Sequence, residues 1–138
     1  MAVLITGGAG FIGAALAERF LGQGHEVLAF DASEPREAVT RRWGGRVEFV
    51  KGDIRDRKLI AGLVERSGTK DPIVHLAAML TAGCDRDPEA AMAVNVGGCF
   101  NVLEAAREHG LRRVVDLARR IERGGYGWVD SCETHAPL

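Results

Sequence analysis

A glycine-rich segment near the amino terminus has the residue types and the spacing of a turn that binds phosphate groups. Gly8, Gly10 and Gly13 satisfy the pattern G-x-G-x-x-G, in which glycines permit a tight turn and let the backbone approach a pyrophosphate. The helix that follows would present free N–H groups and the positive end of its dipole to the phosphates. The residues that we expect to bind this pyrophosphate are Gly7, Gly8, Gly10, Phe11, Ile12 and Gly13.

An acidic residue at the end of the next predicted strand supplies the context that makes such a glycine motif specific. Asp31 closes the apolar run 27–30, where a carboxylate accepts hydrogen bonds from the adenosine ribose and repels a 2′-phosphate. Ala32 and Ser33 offer no compensating cation, and Arg36 is the nearest cation along the chain. The two motifs together predict NAD, rather than NADP, as the cofactor. The alternative interpretation is a glycine-rich turn with an unrelated aspartate.

The elements that must position these residues are short apolar runs that alternate with helical stretches, a pattern typical of βαβ units and a parallel sheet. Predicted strands cover residues 2–5, 27–30, 47–50, 72–76 and 112–117. Predicted helices cover residues 11–21 and 35–42 (the latter a short helix or a turn), a stretch capped by Asp56, and a long stretch between Asp87 and Gly110. Residues 119–123 are compatible with a short helix, whereas residues 130–138 show no periodic pattern.

The long helix carries a row of large apolar residues at helical spacing. Such a row predicts that this face of the helix lies in the core. The row consists of Met92, Val96, Phe100 and Leu103.

Composition and charge are those of an ordinary soluble chain with one domain. The 138 residues are 46% hydrophobic and 27% charged, and the formal net charge of -1 gives no electrostatic reason to expect nucleic acid or an anionic membrane as partner. The three cysteines lack C-x-x-C spacing, so no zinc site, other metal site or disulfide framework is predicted. The start of the sequence lacks the basic region of a signal peptide, and no apolar run reaches membrane-spanning length. We therefore expect a cytoplasmic location.

Further motifs follow the glycine loop in an order that resembles the extended short-chain dehydrogenase/reductase superfamily, the NAD-dependent sugar epimerases and dehydratases. The resemblance covers residues 1 to about 115. The segment 52–56 (G-D-I-R-D) resembles the family's adenine-binding segment, which implies that Asp53 and the backbone of Ile54 recognise adenine. The segment 75–78 (H-L-A-A) is similar to the family's H-x-A-A segment, which implies that three residues line the cofactor: Leu76, Ala77 and Ala78.

The same family has a helix with the pattern N-x-x-G-x-x-N-x-L-E-A-A, and residues 95–106 resemble it. The resemblance implies that Asn95 lies at the cofactor site, and an asparagine inside a helix needs a specific partner for its amide. That partner is either backbone or a water near the active site. Asp53 has a second interpretation as a cap of its own turn. A histidine at a strand end such as His75 is more often packed and hydrogen-bonded than catalytic.

These observations predict a Rossmann-type doubly wound parallel sheet with strand order 3-2-1-4-5, truncated at or just after strand five. We expect residues 1–117 to form the NAD-binding domain and residues 118–138 to form an atypical, poorly ordered tail. Strand five would be an exposed edge, where a second copy or a partner chain could associate.

The catalytic residues of the resembled family do not occur in this sequence. That family uses a Tyr-x-x-x-Lys pair after strand five, whereas the only tyrosine, Tyr126, is followed four residues later by Asp130. The lysines all lie upstream, at positions 51, 58 and 70. We therefore expect the NAD-binding portion of a nucleotide-sugar epimerase/dehydratase or related dehydrogenase, inactive alone. Three origins fit: a truncated or frame-shifted product, a stand-alone NAD-binding sensor module, and a separately encoded half that a partner chain completes.

Overall fold

The computed structural model of this chain describes residues 2–68, 72–111 and 113–116, together with the backbone of three short strands between residues 119 and 134. The strands are β1 (Ala2–Thr6), β2 (Glu26–Asp31), β3 (Val47–Lys51), β4 (Ile73–His75), β5 (Val114–Asp116), β6 (Arg119–Glu122), β7 (Gly125–Trp128) and β8 (Cys132–Thr134). The helices are α1 (Phe11–Gly22), α2 (Glu37–Trp43), α3 (Arg57–Ser67), α4 (Thr81–Arg86), α5 (Pro88–Met92), a π-helix (Ala93–Gly98) and α6 (Cys99–Glu108).

The central sheet has the order β3-β2-β1-β4-β5-β8. Strands β1 to β5 pair with their neighbours in parallel, so the predicted order 3-2-1-4-5 is confirmed. The chain leaves β1 toward β2 on one side and later returns to β4 on the other. In doubly wound sheets, the crevice at such a switch point, beyond the carboxyl ends of the strands, is where ligands bind.

Strand β8 corrects the prediction that strand five is an exposed edge of the sheet. Residues 132–134 pair with β5 in antiparallel orientation, which satisfies backbone groups that an edge strand would leave unpaired. A strand of three residues is too short to show an alternating pattern, so the sequence did not reveal it. The short helix considered for residues 119–123 is also wrong, because residues 119–122 form a hairpin with β7. The proposed boundary at residue 117 and the disorder of the tail stay predictions.

Helices cover both faces of the sheet and create two separate parts of the core. On one face, α3 and α6 contribute Ile60, Leu63 and Val102 to a cluster with strand residues such as Leu4. On the other face, α1 and α2 pack on the opposite side of the same strands. Because β1 and β2 are covered on both faces, their sequences are continuously apolar rather than alternating.

The apolar row on the long helix faces solvent, which contradicts the prediction that it lies in the core. Met92, Val96 and Phe100 are 63%, 57% and 56% exposed, and Leu103 is 37% exposed. The buried face carries smaller residues instead: Ala91, Gly98, Val102, Ala105 and Ala106. Small side chains let a helix approach its neighbours closely, so packing selected that face over the one with larger side chains. Periodicity alone cannot choose between two apolar faces.

The predicted long helix is divided into α5, the π-helix and α6, and the additional short helix α4 precedes it. Asp87 accepts a hydrogen bond from the Ala90 N–H (2.9 Å), and Pro88 is the first helical residue, as the sequence predicted. Within the described residues, no helix combines the length and the apolar character needed to cross a membrane.

Candidate functional site

The turn between β1 and α1 lies against the segment that follows β4. Gly7 has a φ of +72°, and a Cβ atom there would lie 2.7 Å from the carbonyl carbon of Leu76 and 2.8 Å from the amide nitrogen of Ala77. Only glycine combines this backbone conformation with so close an approach. The glycine loop and the segment 76–78, which the sequence assigned to one site, are therefore in contact.

Gly13 lets the first turn of α1 pack directly on the loop. A Cβ atom at this position would overlap the carbonyl oxygen of Gly7 and lie 2.7 Å from the Cα of Gly8. Both neighbours are backbone atoms, which cannot rotate away as a side chain can. The glycine is required here for close packing, which is the role that the motif predicts.

The start of α1 offers backbone donors to a ligand. The Ala14 N–H makes the first bond of the helical ladder, to the carbonyl oxygen of Gly10 (2.9 Å), so the preceding amides of residues 11–13 have no partner within the helix. No side chain among the described residues caps this end, and Phe11 is 95% exposed. A helix start with free donors and the positive end of the dipole is suited to an anionic group such as a pyrophosphate.

Asp31 is held beside the glycine loop by two backbone donors. Its Oδ2 accepts a hydrogen bond from the Ala9 N–H (3.1 Å), and its Oδ1 accepts one from the Ser33 N–H (3.0 Å). The carboxylate is thus oriented at the end of β2, next to the loop. Each oxygen retains capacity for a further donor, because an ionised carboxylate has about four acceptor positions.

His75 is a packed, hydrogen-bonded histidine. Its side chain is 3% exposed, and its Nδ1 lies 2.6 Å from the Thr6 Oγ1. The same hydroxyl accepts from the Leu76 N–H (3.2 Å), so it ties β1 to the end of β4. Burial lowers the pKa of His75, and the Asp116 carboxylate opposes that shift. The imidazole therefore joins two strands beneath the site.

Asp53 forms a turn with Arg55 after β3. Its Oδ1 accepts hydrogen bonds from the backbone N–H and the Nε of Arg55, both at 2.9 Å. The hydrogen bond from the Arg55 side chain, followed by that from the backbone N–H, lowers the pKa of Asp53. Asp53 therefore does cap its own turn, which was one of its two interpretations, while its side chain stays 47% exposed to other partners.

The side-chain amide of Asn95 forms hydrogen bonds with backbone groups. Backbone was one of the two partners considered for it, and water was the other. The Met79 N–H donates to the Asn95 Oδ1 (2.7 Å), and the Asn95 Nδ2 donates to the Met79 carbonyl oxygen (3.1 Å). The residue lies in the π-helix, a distortion that is frequent at functional sites. Asn95 thereby holds the segment that follows Ala78, the last residue of the stretch predicted to line the cofactor.

The predicted residues gather at the carboxyl edge of the sheet, apart from Asn95, which reaches it from the helix. The glycine loop follows β1, Asp31 ends β2, Asp53 and Ile54 follow β3, and residues 76–78 follow β4. Sequence reasoning assigned no role to Asn101, whose amide contacts the loop after β3. The signal that singled out Asn95, an asparagine inside a helix, was also present at Asn101.

Comparison with known proteins identifies a family whose sequences resemble this chain. The family described as "NAD dependent epimerase/dehydratase family" matches residues 3–118. UDP-glucose 4-epimerase of Mycolicibacterium smegmatis is 38% identical over 119 residues, which are 83% of this chain and 37% of the relative. A 3 beta-hydroxysteroid dehydrogenase/Delta 5-->4-isomerase of Mycobacterium tuberculosis is 36% identical over 138 residues, or 96% of this chain and 35% of the relative.

A solved structure similar to this chain is also a UDP-glucose 4-epimerase, like one of the sequence relatives. The crystal structure of UDP-glucose-4-epimerase from Stenotrophomonas maltophila, with bound NAD and formylated UDP-arabinopyranose, superposes with a TM-score of 0.74 at 32% identity. The match covers 84% of this chain and 36% of that one. The chain thus spans between 35% and 37% of the length of the curated relatives named above.

Proposed function

Because this chain belongs to the NAD-dependent epimerase/dehydratase family, we propose that its Rossmann fold binds NAD and forms the cofactor-binding portion of such an enzyme. The observation that carries the proposal is the contact between the glycine loop and the Asp31 carboxylate. The Ala9 N–H of the loop donates to Asp31, so the predicted pyrophosphate site and the predicted ribose site form one continuous surface.

The residues at this edge of the sheet fit a dinucleotide. Gly7 and Gly13 permit the close backbone contacts that shape the loop, contacts that a Cβ atom would prevent, and the amides of residues 11–13 provide donors for a pyrophosphate. Asp31 would accept hydrogen bonds from the adenosine ribose. Asp53 and Ile54 would hold the adenine, and residues 76–78 with Asn95 would line the other part of the cleft.

Replacement of Asp31 by alanine should weaken NAD binding by about tenfold to a hundredfold, because hydrogen bonds to a charged group contribute about 1.5–3 kcal/mol. NADP binding should change much less, since the carboxylate that repels a 2′-phosphate is removed together with the ribose contact. Isothermal titration calorimetry with both nucleotides measures the two dissociation constants. In the Asp31→Ala protein, the ratio of the dissociation constants for NADP and NAD should be closer to one than in the unaltered protein.

Two further variants separate the charge of Asp31 from its structural contact. Asp31→Asn keeps an acceptor for the Ala9 N–H but removes the charge and the acceptor for the Ser33 N–H. It should therefore reduce the difference between the NAD and NADP affinities while the contact to the glycine loop is kept. Glu37→Ala removes an exposed carboxylate whose ion pair with Arg41 spans 3.0 Å, and such surface pairs contribute little; it should bind like the unaltered protein. Equal affinity of the unaltered protein for NAD and NADP would contradict the assigned role.

For the full-length enzyme we propose hydride-transfer chemistry, as in a nucleotide-sugar epimerase/dehydratase or a related dehydrogenase. Bound NAD supplies the hydride acceptor for such reactions. The residues of this chain would bind and orient the dinucleotide. In the resembled family, the Tyr-x-x-x-Lys pair moves the substrate proton, and this sequence does not contain that pair.

The cytoplasm is the proposed location, since three cysteines without a framework spacing suit a reducing compartment.

We also propose that a second copy or a partner chain associates at the β5 side of the sheet. Strand β8 occupies the edge of β5 and is the outermost strand on that side in the described part of the chain. A partner strand would therefore pair with β8, because an exposed strand edge presents unpaired N–H and C=O groups. Light scattering should detect a dimer or larger complex that grows with protein concentration. A monomer throughout the concentration series would contradict the association of two copies.

A further inference from the structure

The turn after β3 is built around a single peptide unit. The peptide bond between Ile54 and Arg55 carries the N–H that donates to the Asp53 Oδ1 at 2.9 Å. A second backbone bond, from the Asp56 N–H to the Asp53 carbonyl oxygen (3.0 Å), closes the turn. The orientation of this one peptide therefore determines where the Asp53 carboxylate is held.

The other end of the same peptide unit is held by a helix that is distant in sequence. The Nδ2 of Asn101, on α6, donates to the carbonyl oxygens of Ile54 and Arg55, each at 3.1 Å. A peptide unit is planar, so fixing its carbonyl oxygen also fixes its N–H. A chain of contacts thus runs from the Asn101 amide through the Ile54–Arg55 peptide to the Asp53 carboxylate.

The Ile54 side chain, in the same turn, packs against Gly98, which lies one helical turn before Asn101. The Ile54 side chain is buried, and a Cβ atom at Gly98 would lie 2.6 Å from its Cγ2 and 2.9 Å from its Cγ1. Ile54 is branched at Cβ and confined by the core, so it has few rotamers with which to yield. The neighbouring Gly97 differs, since a Cβ atom there would meet no atom of the described residues within 4 Å.

We propose that Gly98 and Asn101 are positioning residues for adenine recognition, which hold the Asp53–Ile54 turn in the conformation that reads the base. The inference rests on the proposed binding of NAD. Gly98 determines how closely the turn packs on the helix, because the Ile54 side chain lies against it. Asn101 determines the orientation of the Ile54–Arg55 peptide, because its amide binds the carbonyl oxygens of both residues. In this arrangement, the helical residues 98 and 101 affect the selectivity for the base through the turn that contacts it.

The test compares NAD with nicotinamide hypoxanthine dinucleotide, in which an oxygen replaces the adenine amino group and N1 carries a hydrogen. The analogue presents an acceptor to the Asp53 carboxylate and a donor to the Ile54 N–H, so both contacts become unfavourable. The unaltered protein should prefer NAD by about tenfold or more, because buried or charged groups left without a partner are costly. Asn101→Ala and Gly98→Ala should each reduce that preference to about threefold or less.

Gly97→Ala is the matched control, because it adds the same methyl group to the adjacent residue in open space. It should retain the preference of the unaltered protein. Urea unfolding of each variant accompanies the calorimetry, since a purely structural role would lower stability and the affinity for both dinucleotides equally. The ratio of the two affinities is therefore the deciding measurement.

The outcomes separate this inference from the proposal on which it rests. Failure of the unaltered protein to bind NAD would overturn both. NAD binding with an unchanged preference in folded Asn101→Ala and Gly98→Ala proteins would overturn the positioning role alone. The two substitutions act through different contacts, so a loss of folding in one leaves the other to decide. A reduced preference in Gly97→Ala as large as that in Gly98→Ala would also overturn the proposal.

Discussion

Replacement of Gly13 by alanine is expected to reduce NAD binding by at least about a hundredfold. The new Cβ atom would overlap the Gly7 carbonyl oxygen and press on the Cα of Gly8. Neither atom can move without displacing the loop. Overpacking of this kind typically costs about 1–3 kcal/mol in stability, and the displaced loop would no longer present its amides to a pyrophosphate. Calorimetric titration with NAD and urea unfolding measure the two effects.

A second glycine provides the control for this substitution. Gly62 lies within α3, where a Cβ atom would meet nothing within 4 Å in the part of the chain that the structure describes. Gly62→Ala should therefore leave NAD affinity unchanged and raise the free energy of unfolding by up to about 1 kcal/mol, because alanine is the better helix former. Affinity for NAD retained by a folded Gly13→Ala protein would refute the assignment of this loop to the pyrophosphate.

The isolated chain of 138 residues is expected to show no turnover of sugar nucleotides or alcohols with NAD. Reactions of the resembled family need a group that takes the substrate proton near neutral pH, and loss of such a general base typically costs about 10²–10⁴-fold in rate. Tyr126 has no lysine at the required spacing. His75 is buried and hydrogen-bonded to Thr6, and burial lowers its pKa. Loss of substrate positioning would reduce the rate further.

The assay is the formation of NADH, or sugar epimerisation, by the purified chain, with His75→Ala and Tyr126→Phe as comparison variants. NAD binding measured on the same preparation distinguishes an inactive chain from an unfolded one. Robust turnover that either substitution abolishes would show that the chain carries a complete catalytic centre. Turnover unaffected by both would point to a contaminating enzyme, which repurification of the chain would remove.

The sequence was sufficient for the features that depend on local chemistry. The glycine spacing before α1 predicts a turn that no other residue type could form, and the structure shows Gly7 and Gly13 in backbone contacts that exclude a Cβ atom. Asp56 and Asp87 cap the helices that they were expected to cap. The parallel sheet followed from short apolar runs that alternate with helical stretches, and the strand order 3-2-1-4-5 followed from the doubly wound arrangement to which such a glycine motif belongs.

Other features depended on which surfaces met in three dimensions. The long helix has two apolar faces, and the sheet accepted the one with Ala91, Gly98 and Ala105 because small side chains permit closer packing. The row that begins with Met92 was left exposed. Helical periodicity reports that a face is apolar but contains no information about the neighbour that will cover it.

For polar side chains, too, the sequence predicts one part and the tertiary structure decides the other. The sequence indicated that Asn95 needs a specific partner, because an amide inside a helix is costly when unsatisfied, but only the fold brought Met79 within reach. The pairing of β8 with β5 and the reach of Asn101 to the turn after β3 likewise join segments far apart in the chain. Residue types determined which groups require hydrogen bonds, and the tertiary structure determined which groups supply them, because these partners meet only when the sheet and its helices pack together.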